Sequence, residues 1–154
     1  MKPVKPPHLI ASGLGIGYIP LAPGTFGSLL GLAIGAGLLH LGTAFLALGV
    51  IAASAAGMIA IPRTGAAATD PGWVVIDEIA GQMIAMLPLS LVSWEGLAMA
   101  FLLFRLFDIR KPYPIRLIDE RADALGIMGD DWLAGLIAAL IILGLRLAWP
   151  GWNM

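Results

Sequence analysis

Long apolar runs alternate with short polar breaks along this chain, and the length of each run limits what it can be. Residues 29–61 are apolar almost throughout, with an interruption at His40-Leu41-Gly42-Thr43. A membrane-spanning helix needs about twenty residues, so this run predicts two short spans with a break near Gly42. Its glycines, among them Gly31, Gly35, Gly49 and Gly57, suit close helix packing in lipid. Residues 79–89 and 96–107 predict a second hairpin around 90–95. Each is short for a full crossing, and Pro88 kinks or ends the first, so partial or re-entrant insertion is expected. A last apolar helix, 132–149, is opened by Asp130-Asp131. Upstream, 9–28 is apolar, but Pro20, Pro23 and its spaced glycines argue against one continuous helix. Residues 1–8 predict an exposed polar tail, with His8 interfacial or solvated. Residues 62–73 predict an interfacial loop anchored by Trp73.

The pattern therefore predicts an all-α, polytopic membrane bundle with short or re-entrant helices, in one domain over 1–154. Composition agrees: 59% of residues are hydrophobic, 12% are charged, and the mean hydropathy is +0.91. A soluble domain carries about 25% charged residues. The net charge of −1 gives nucleic-acid binding no electrostatic basis. The absence of cysteine removes thiolate chemistry and Cys-ligated metals. His8 and His40 lie far from any metal-ligating spacing.

Lysine and arginine set the expected orientation. They lie in the tail, at Arg63 and within 105–131, with Arg146 the exception, while 40–43 and 90–95 carry none. The first group is expected on the cytoplasmic side. Arg146 is expected near the far end, snorkelling outward.

Against this background the acids stand out. Asp77 and Glu78 sit side by side in an otherwise apolar run. A buried carboxylate in a bilayer costs several kcal/mol, about 2.5–3.5 on insertion scales. A metal ion, a cation or a water-filled site must offset that. Asp77-Glu78-Ile79-Ala80-Gly81 is echoed by Asp131-Trp132-Leu133-Ala134-Gly135, each with a second acid beside the aspartate (Glu78, Asp130). Both read Asp-x-x-Ala-Gly, which predicts two helix starts bringing their acids around one divalent cation. The plainer alternative is that these aspartates are N-caps.

Two further segments supply positive or donor groups. Pro23-Gly24-Thr25-Phe26-Gly27-Ser28 precedes a long apolar helix. Backbone N–H groups and two hydroxyls there form either an anion site or an ordinary turn capped by Thr25 or Ser28. Arg105 lies within an apolar run and is three residues from Asp108, so the two can pair. Pro112 and Pro114 predict an extended stretch after that helix, with Arg110, Lys111 and Arg116 at the membrane surface. Clustered carboxylates with water access suit Mg²⁺. Beside an anion-binding turn they suggest phosphoryl transfer or hydrolysis on a lipid headgroup, with Arg105 and Lys111 stabilising the transition state.

These motifs, in this order, resemble the phosphatidylglycerophosphatase A family: Ala22-Pro23-Gly24-Thr25-Phe26-Gly27-Ser28, Asp77-Glu78-Ile79-Ala80-Gly81, Arg105 through Ile115, and Asp130-Asp131-Trp132-Leu133-Ala134-Gly135. The likeness covers nearly the whole chain. It implies a multi-pass phosphatase of the bacterial inner membrane, Mg²⁺-dependent, with its site facing the cytoplasm. The implied reaction converts phosphatidylglycerophosphate to phosphatidylglycerol. The site residues are then Asp77, Glu78, Asp108 and Asp131 as catalytic groups. Gly24, Thr25, Arg105, Lys111 and Arg116 bind the substrate phosphate. Asp77, Glu78, Asp108, Asp130 and Asp131 hold the metal, and Asp119 is a weaker candidate. The segment 124–129 departs from the family's pattern by lacking a paired glycine before the last acids.

Other chemistries fit less well. No Asp-x-Asp is present for an aspartyl-phosphate route, and the histidines lack the context of a histidine nucleophile. Metal-activated water is the most natural route left, beside a covalent carboxylate intermediate. A small transporter relaying protons or cations through its acids would explain Asp77-Glu78 but not the Pro-Gly-Thr turn. A non-catalytic scaffold packed on its Gly/Ala faces and a headgroup transferase are further alternatives.

Overall fold

The computed structural model describes residues 5–149 and 151, and all regular structure among them is helical. Residues 1–4 of the expected tail lie outside the described residues. Seven α-helices follow in order: α1 (Pro6–Ala11), α2 (Pro23–Leu41), α3 (Thr43–Thr64), α4 (Ile76–Ala85), α5 (Trp94–Arg110), α6 (Ile115–Asp119) and α7 (Ala124–Ala148). Single 3₁₀ turns occupy Ile16–Tyr18 and Ala66–Ala68. Three helices are long and apolar enough to cross a membrane: α2 with 19 residues, α3 with 22 and α7 with 25.

The break at Gly42 falls where the sequence places it. Gly42 adopts φ +132°, and its N–H closes α2 on the carbonyls of Leu38 and Leu39. The chain then turns directly into α3. Both helices are long enough for a full span, because α2 begins at Pro23 and α3 runs on past Pro62 to Thr64. Pro23 sits in the first helical turn, where its missing N–H costs nothing. The Pro-Gly-Thr-Phe-Gly-Ser segment is thus the start of α2 and not a loop before it.

The organising element is α4. It has ten residues, about 15 Å of helix, half the thickness of a bilayer's hydrocarbon core. Eight of the ten are buried, because α7, α2 and α3 pack around it. It ends at Ala85, three residues before Pro88, as an X-Pro block to further helix predicts. Arg146, near the end of α7, donates to the Pro88 carbonyl. The arginine expected to snorkel outward instead ties α7 to the turn that follows α4.

Small residues let α4 and α7 approach. A Cβ on Gly81 would lie 2.6 Å from the Asp131 carbonyl oxygen, and one on Gly135 would run into the Gly81 carbonyl. The glycines of the two echoed motifs therefore face each other. On the other side, the α2 stripe Gly27, Gly31 and Gly35 rests on Val75, Ile79 and Met86 of the α4 segment.

Several local expectations change. Residues 6–8 are helical, and His8 stacks on Trp73 at 5.5 Å between ring centroids. Tyr18 stacks on the same indole at 5.7 Å, so Trp73 is held between protein rings and is not a free interfacial anchor. Pro112 and Pro114 make a tight turn into the short α6, where an extended stretch was expected, because Lys111 takes a left-handed conformation (φ +41°) at the end of α5. Residues 124–129 are the opening turns of α7 and not a loop.

Candidate active site

Four helix segments deliver polar groups to one end of the bundle: the starts of α2 and α4, the end of α5 and the first third of α7. Asp77 and Glu78 occupy the first turn of α4, and the capping position, Val75, makes no side-chain cap bond. The cap of α7 is Asp123, whose Oδ1 accepts from the Gly126 N–H at 2.8 Å. Asp130 and Asp131 therefore lie about 10 Å inside α7, well past its first turn. Neither motif's aspartate is an N-cap.

The Gly81–Gly135 contact sets the acids against one another. Asp77 stands four residues before Gly81, and Asp131 four before Gly135, so each acid shares a face with its glycine. Carboxylate oxygens of Asp77, Glu78 and Asp131 lie within 4.8 Å of one another. Asp108 adds a fourth carboxylate, in side-chain contact with Asp131. Asp77 and Asp131 are buried. Asp77 Oδ1 and Glu78 Oε2 are buried with no protein hydrogen-bond donor. Three clustered carboxylates, two of them with orphaned oxygens, repel one another in a low dielectric when ionised unless a cation joins them. An all-oxygen donor set at this spacing fits a hard divalent ion.

Arg105 closes one side of this cluster. It pairs with Asp108 and donates from Nη1 to Ser28 Oγ at 3.3 Å and from Nη2 to Thr25 Oγ1 at 3.5 Å. Ser28 in turn donates to the Gly24 carbonyl at 2.8 Å. Gly24 has no room for a side chain, because a Cβ there would run into the Glu78 carboxylate and come within 3.5 Å of Arg105 Nη1. Anion binding by the helix N-terminus is narrower than expected. The Thr25 and Phe26 amides already donate to the Ala22 carbonyl, at 3.0 and 3.3 Å. Side chains, chiefly Arg105 and Thr25, carry the positive and donor character.

A second polar cluster adjoins the first. Lys111 pairs with Asp119, and its Nζ donates to Asp130 Oδ2 at 2.6 Å. Burial pulls the Lys111 ammonium down, but Asp119 and Asp130 more than offset this, so its pKa stands above the ordinary lysine value. Asp130 Oδ1 also accepts from the Asp131 N–H at 2.9 Å.

Of the residues singled out in the sequence, Gly24, Thr25, Asp77, Glu78, Arg105, Asp108 and Asp131 come together. Lys111, Asp119 and Asp130 form the neighbouring cluster. Asp130 turns to Lys111 because adjacent residues on a helix point about 100° apart. Arg116 joins neither: it is exposed and paired with Glu120 at 3.5 Å. Two residues were overlooked. Ser28, expected as one of two hydroxyls of an anion site or as a cap and not as a partner of Arg105, is fully buried and holds Arg105; its place on the same face as Thr25, three residues on, was the available signal. Gln82 is fully buried one turn below Glu78, and neither of its amide atoms has a protein partner. An amide in a buried apolar helix was the signal there.

The arrangement combines a cation-ready acid cluster with an arginine and hydroxyl suited to a phosphate. Comparison with known proteins agrees. The family model for phosphatidylglycerophosphatase A matches residues 9–146. A phosphatidylglycerophosphatase A of Haemophilus influenzae is 38% identical over 147 residues, covering 93% of this chain and 90% of that protein. One of Escherichia coli is 34% identical over 153 residues, covering 97% and 89%. A Bacteroides thetaiotaomicron protein provisionally named a phosphatidylinositol-3-phosphatase is 37% identical over 150 residues, covering 92% and 94%. No solved structure matches. With its helical fold and four ordered motifs, the chain is a phosphatase and belongs to the phosphatidylglycerophosphatase A family.

Proposed function

We propose that the protein hydrolyses phosphatidylglycerophosphate to phosphatidylglycerol and phosphate, with Mg²⁺ held by Asp77, Glu78 and Asp131. The observation that carries this reading is the set of three mutually close carboxylates, two of them with orphaned buried oxygens, beside Arg105 and Thr25. When bound, the ion would supply Lewis acidity toward the phosphoryl oxygens and toward the attacking water.

The chain's own groups do the rest. Arg105 and Thr25 orient the phosphate and balance the charge that builds on it. Ser28 and Asp108 fix the Arg105 guanidinium in place. Asp108, in contact with both Arg105 and Asp131, is the group placed to take the water's proton. The water oxygen bonds to phosphorus as the bond from phosphorus to the glycerol oxygen breaks; the glycerol oxygen takes a proton from solvent, and Asp108 gives the proton it took from the water back to solvent, so that one water is consumed overall. Lys111, Asp119 and Asp130 hold α5, α6 and α7 together above the acids.

The lysine and arginine distribution favours a site facing the cytoplasm of a bacterial inner membrane, in phosphatidylglycerol and cardiolipin biosynthesis. Arg63, Arg110, Lys111, Arg116 and Arg121 all belong to segments at the site end. The test is phosphate release from vesicles holding phosphatidylglycerophosphate or phosphatidylinositol 3-phosphate, each with Mg²⁺ and with EDTA. Release from the first lipid, abolished by EDTA, is the expected result. Preference for the inositol lipid would move the substrate assignment toward the Bacteroides relative's name. Release unaffected by EDTA would remove the metal.

A further inference from the structure

Three apolar surfaces approach the acids, and they differ in the polar groups they carry. One is a cavity of about 330 Å³ between α2 and α3, lined by Leu30, Ile34, Ala53, Ile76, Ile79 and Met83 among others. It has no charged lining and lies against the face of α4 opposite Asp77 and Gly81. A second, of about 360 Å³, runs along α7 past Leu125, Trp132 and Leu136. Its one charged residue, Arg121, is already paired with Asp123 at 2.6 Å.

The third surface is the seam between α2 and α5. Leu29 is exposed on α2, one residue past Ser28, and Leu102 and Leu106 are exposed on α5. Leu102, Arg105, Leu106 and Ile109 share one face of α5, so Arg105 sits inside an apolar stripe. Arg105 also crosses the seam, reaching Ser28 and Thr25 at 3.3 and 3.5 Å. The Thr25 bond is at the long limit for a hydrogen bond, so a phosphate oxygen can replace it at little cost while Ser28 keeps its hold on Arg105. Arg105 Nε is buried and makes no protein hydrogen bond. Thr25 is the third residue of α2, and Arg105 lies about 7 Å inside the end of α5. Both groups thus stand within two turns of their helix ends at the site end of the bundle.

We propose that the diacyl part of the substrate lies along this α2–α5 seam, and that its phosphomonoester reaches Arg105 sideways from the bilayer. The inference rests on the lipid phosphatase reading above and adds the direction of access. Charge complementarity and continuity with the acid cluster select the seam over the two grooves. Acyl chains pack on Leu29, Leu102 and Leu106 while the phosphate meets Arg105 and Thr25.

The native chain has no cysteine, so a single introduced one can be labelled alone. Leu106→Cys is placed in the seam, with Ile34→Cys and Leu136→Cys in the two grooves as references. Each is assayed on vesicle-borne diacyl substrate before and after reaction with a bulky maleimide. Labelling Leu106→Cys is expected to raise KM about tenfold with kcat largely kept, while labelling either reference leaves both constants unchanged. Equal rates for labelled and unlabelled Leu106→Cys, or equal inhibition at a reference site, would overturn the proposal. A binding arm separates this from failure of the phosphatase reading. A nitroxide on the same cysteine should be immobilised more by vesicles holding a phosphomonoester lipid than by phosphatidylcholine vesicles, even without turnover. Equal mobility in the two would also overturn the seam.

Discussion

Arg105 and Lys111 stand fewer than two turns apart on the end of α5, yet their surroundings are balanced in opposite ways. Lys111 is met by two carboxylates, Asp119 and Asp130, and those two have it as their shared cation. Arg105 is met by Asp108, which leaves Asp77, Glu78 and Asp131 with no cation of their own among the described residues. A network complete within the protein ties helices together. One with orphaned buried oxygens is complete only with something from outside. The contrast separates a brace from a site, although both are made of the same residue types.

The contrast breaks most visibly at the acids. Asp77→Asn or Asp131→Asn should lower phosphate release on the order of 10²–10³-fold. Each should also weaken Mn²⁺ binding, followed by electron paramagnetic resonance in place of Mg²⁺. Full activity in either variant would show that the cluster is not the reaction centre. Next is Arg105→Lys, which keeps the charge but cannot bridge Thr25, Ser28 and Asp108 in one plane. A fall in kcat/KM of about tenfold to 10²-fold is expected, measured with Asp108 intact.

Lys111→Met should act on the brace instead. Its expected signature is a lower melting temperature with kcat reduced less than by Arg105→Lys. The sign with pH follows from the direction of the shift. Folding raises the Lys111 pKa, so its stabilisation is fully present below the unfolded value of about 10.4 and is lost only as pH rises through the folded value. The difference in melting temperature between wild type and Lys111→Met should therefore stay constant from about pH 7.5 to about 9, where both carboxylate partners are ionised. A difference that vanished within that range would deny the pairing. The smallest effect is expected at Gln82→Met. Removing a buried amide with no protein partner should leave stability unchanged or raise it by about 1–3 kcal/mol, read from reversible denaturation in detergent. A loss of that size would mean that the amide has a firmly held partner.

Much of this architecture was legible because lipid imposes simple rules on length and charge. The run at 29–61 could only be two spans once Gly42 was read as a break, and Pro88 marked α4 as too short to cross. The site was legible as residue types but less so as partners. Asp77 and Asp131 were drawn together by a repeated glycine spacing, which survives folding because the two glycines touch. Asp130 and Lys111 could not be separated from the acid cluster in sequence, since adjacency along a helix hides a rotation of about 100°. The start of α7 was misplaced for a related reason: Asp130-Asp131 looks like a cap, while the true cap, Asp123, sits seven residues earlier in a polar stretch. Arg146 was unreadable because its partner is a carbonyl fifty-eight residues away.

The meeting of Gly81 and Gly135 has a metrical consequence. What separates the Asp77 and Asp131 carboxylates is the thickness of two bare backbones, the smallest spacer a polypeptide can offer. A methyl at either glycine would have to displace main chain, since the nearest obstacle to a Cβ on Gly81 is the Asp131 carbonyl oxygen at 2.6 Å. A side chain at either glycine would therefore force α4 and α7 apart and carry the Asp77 and Asp131 carboxylates with them.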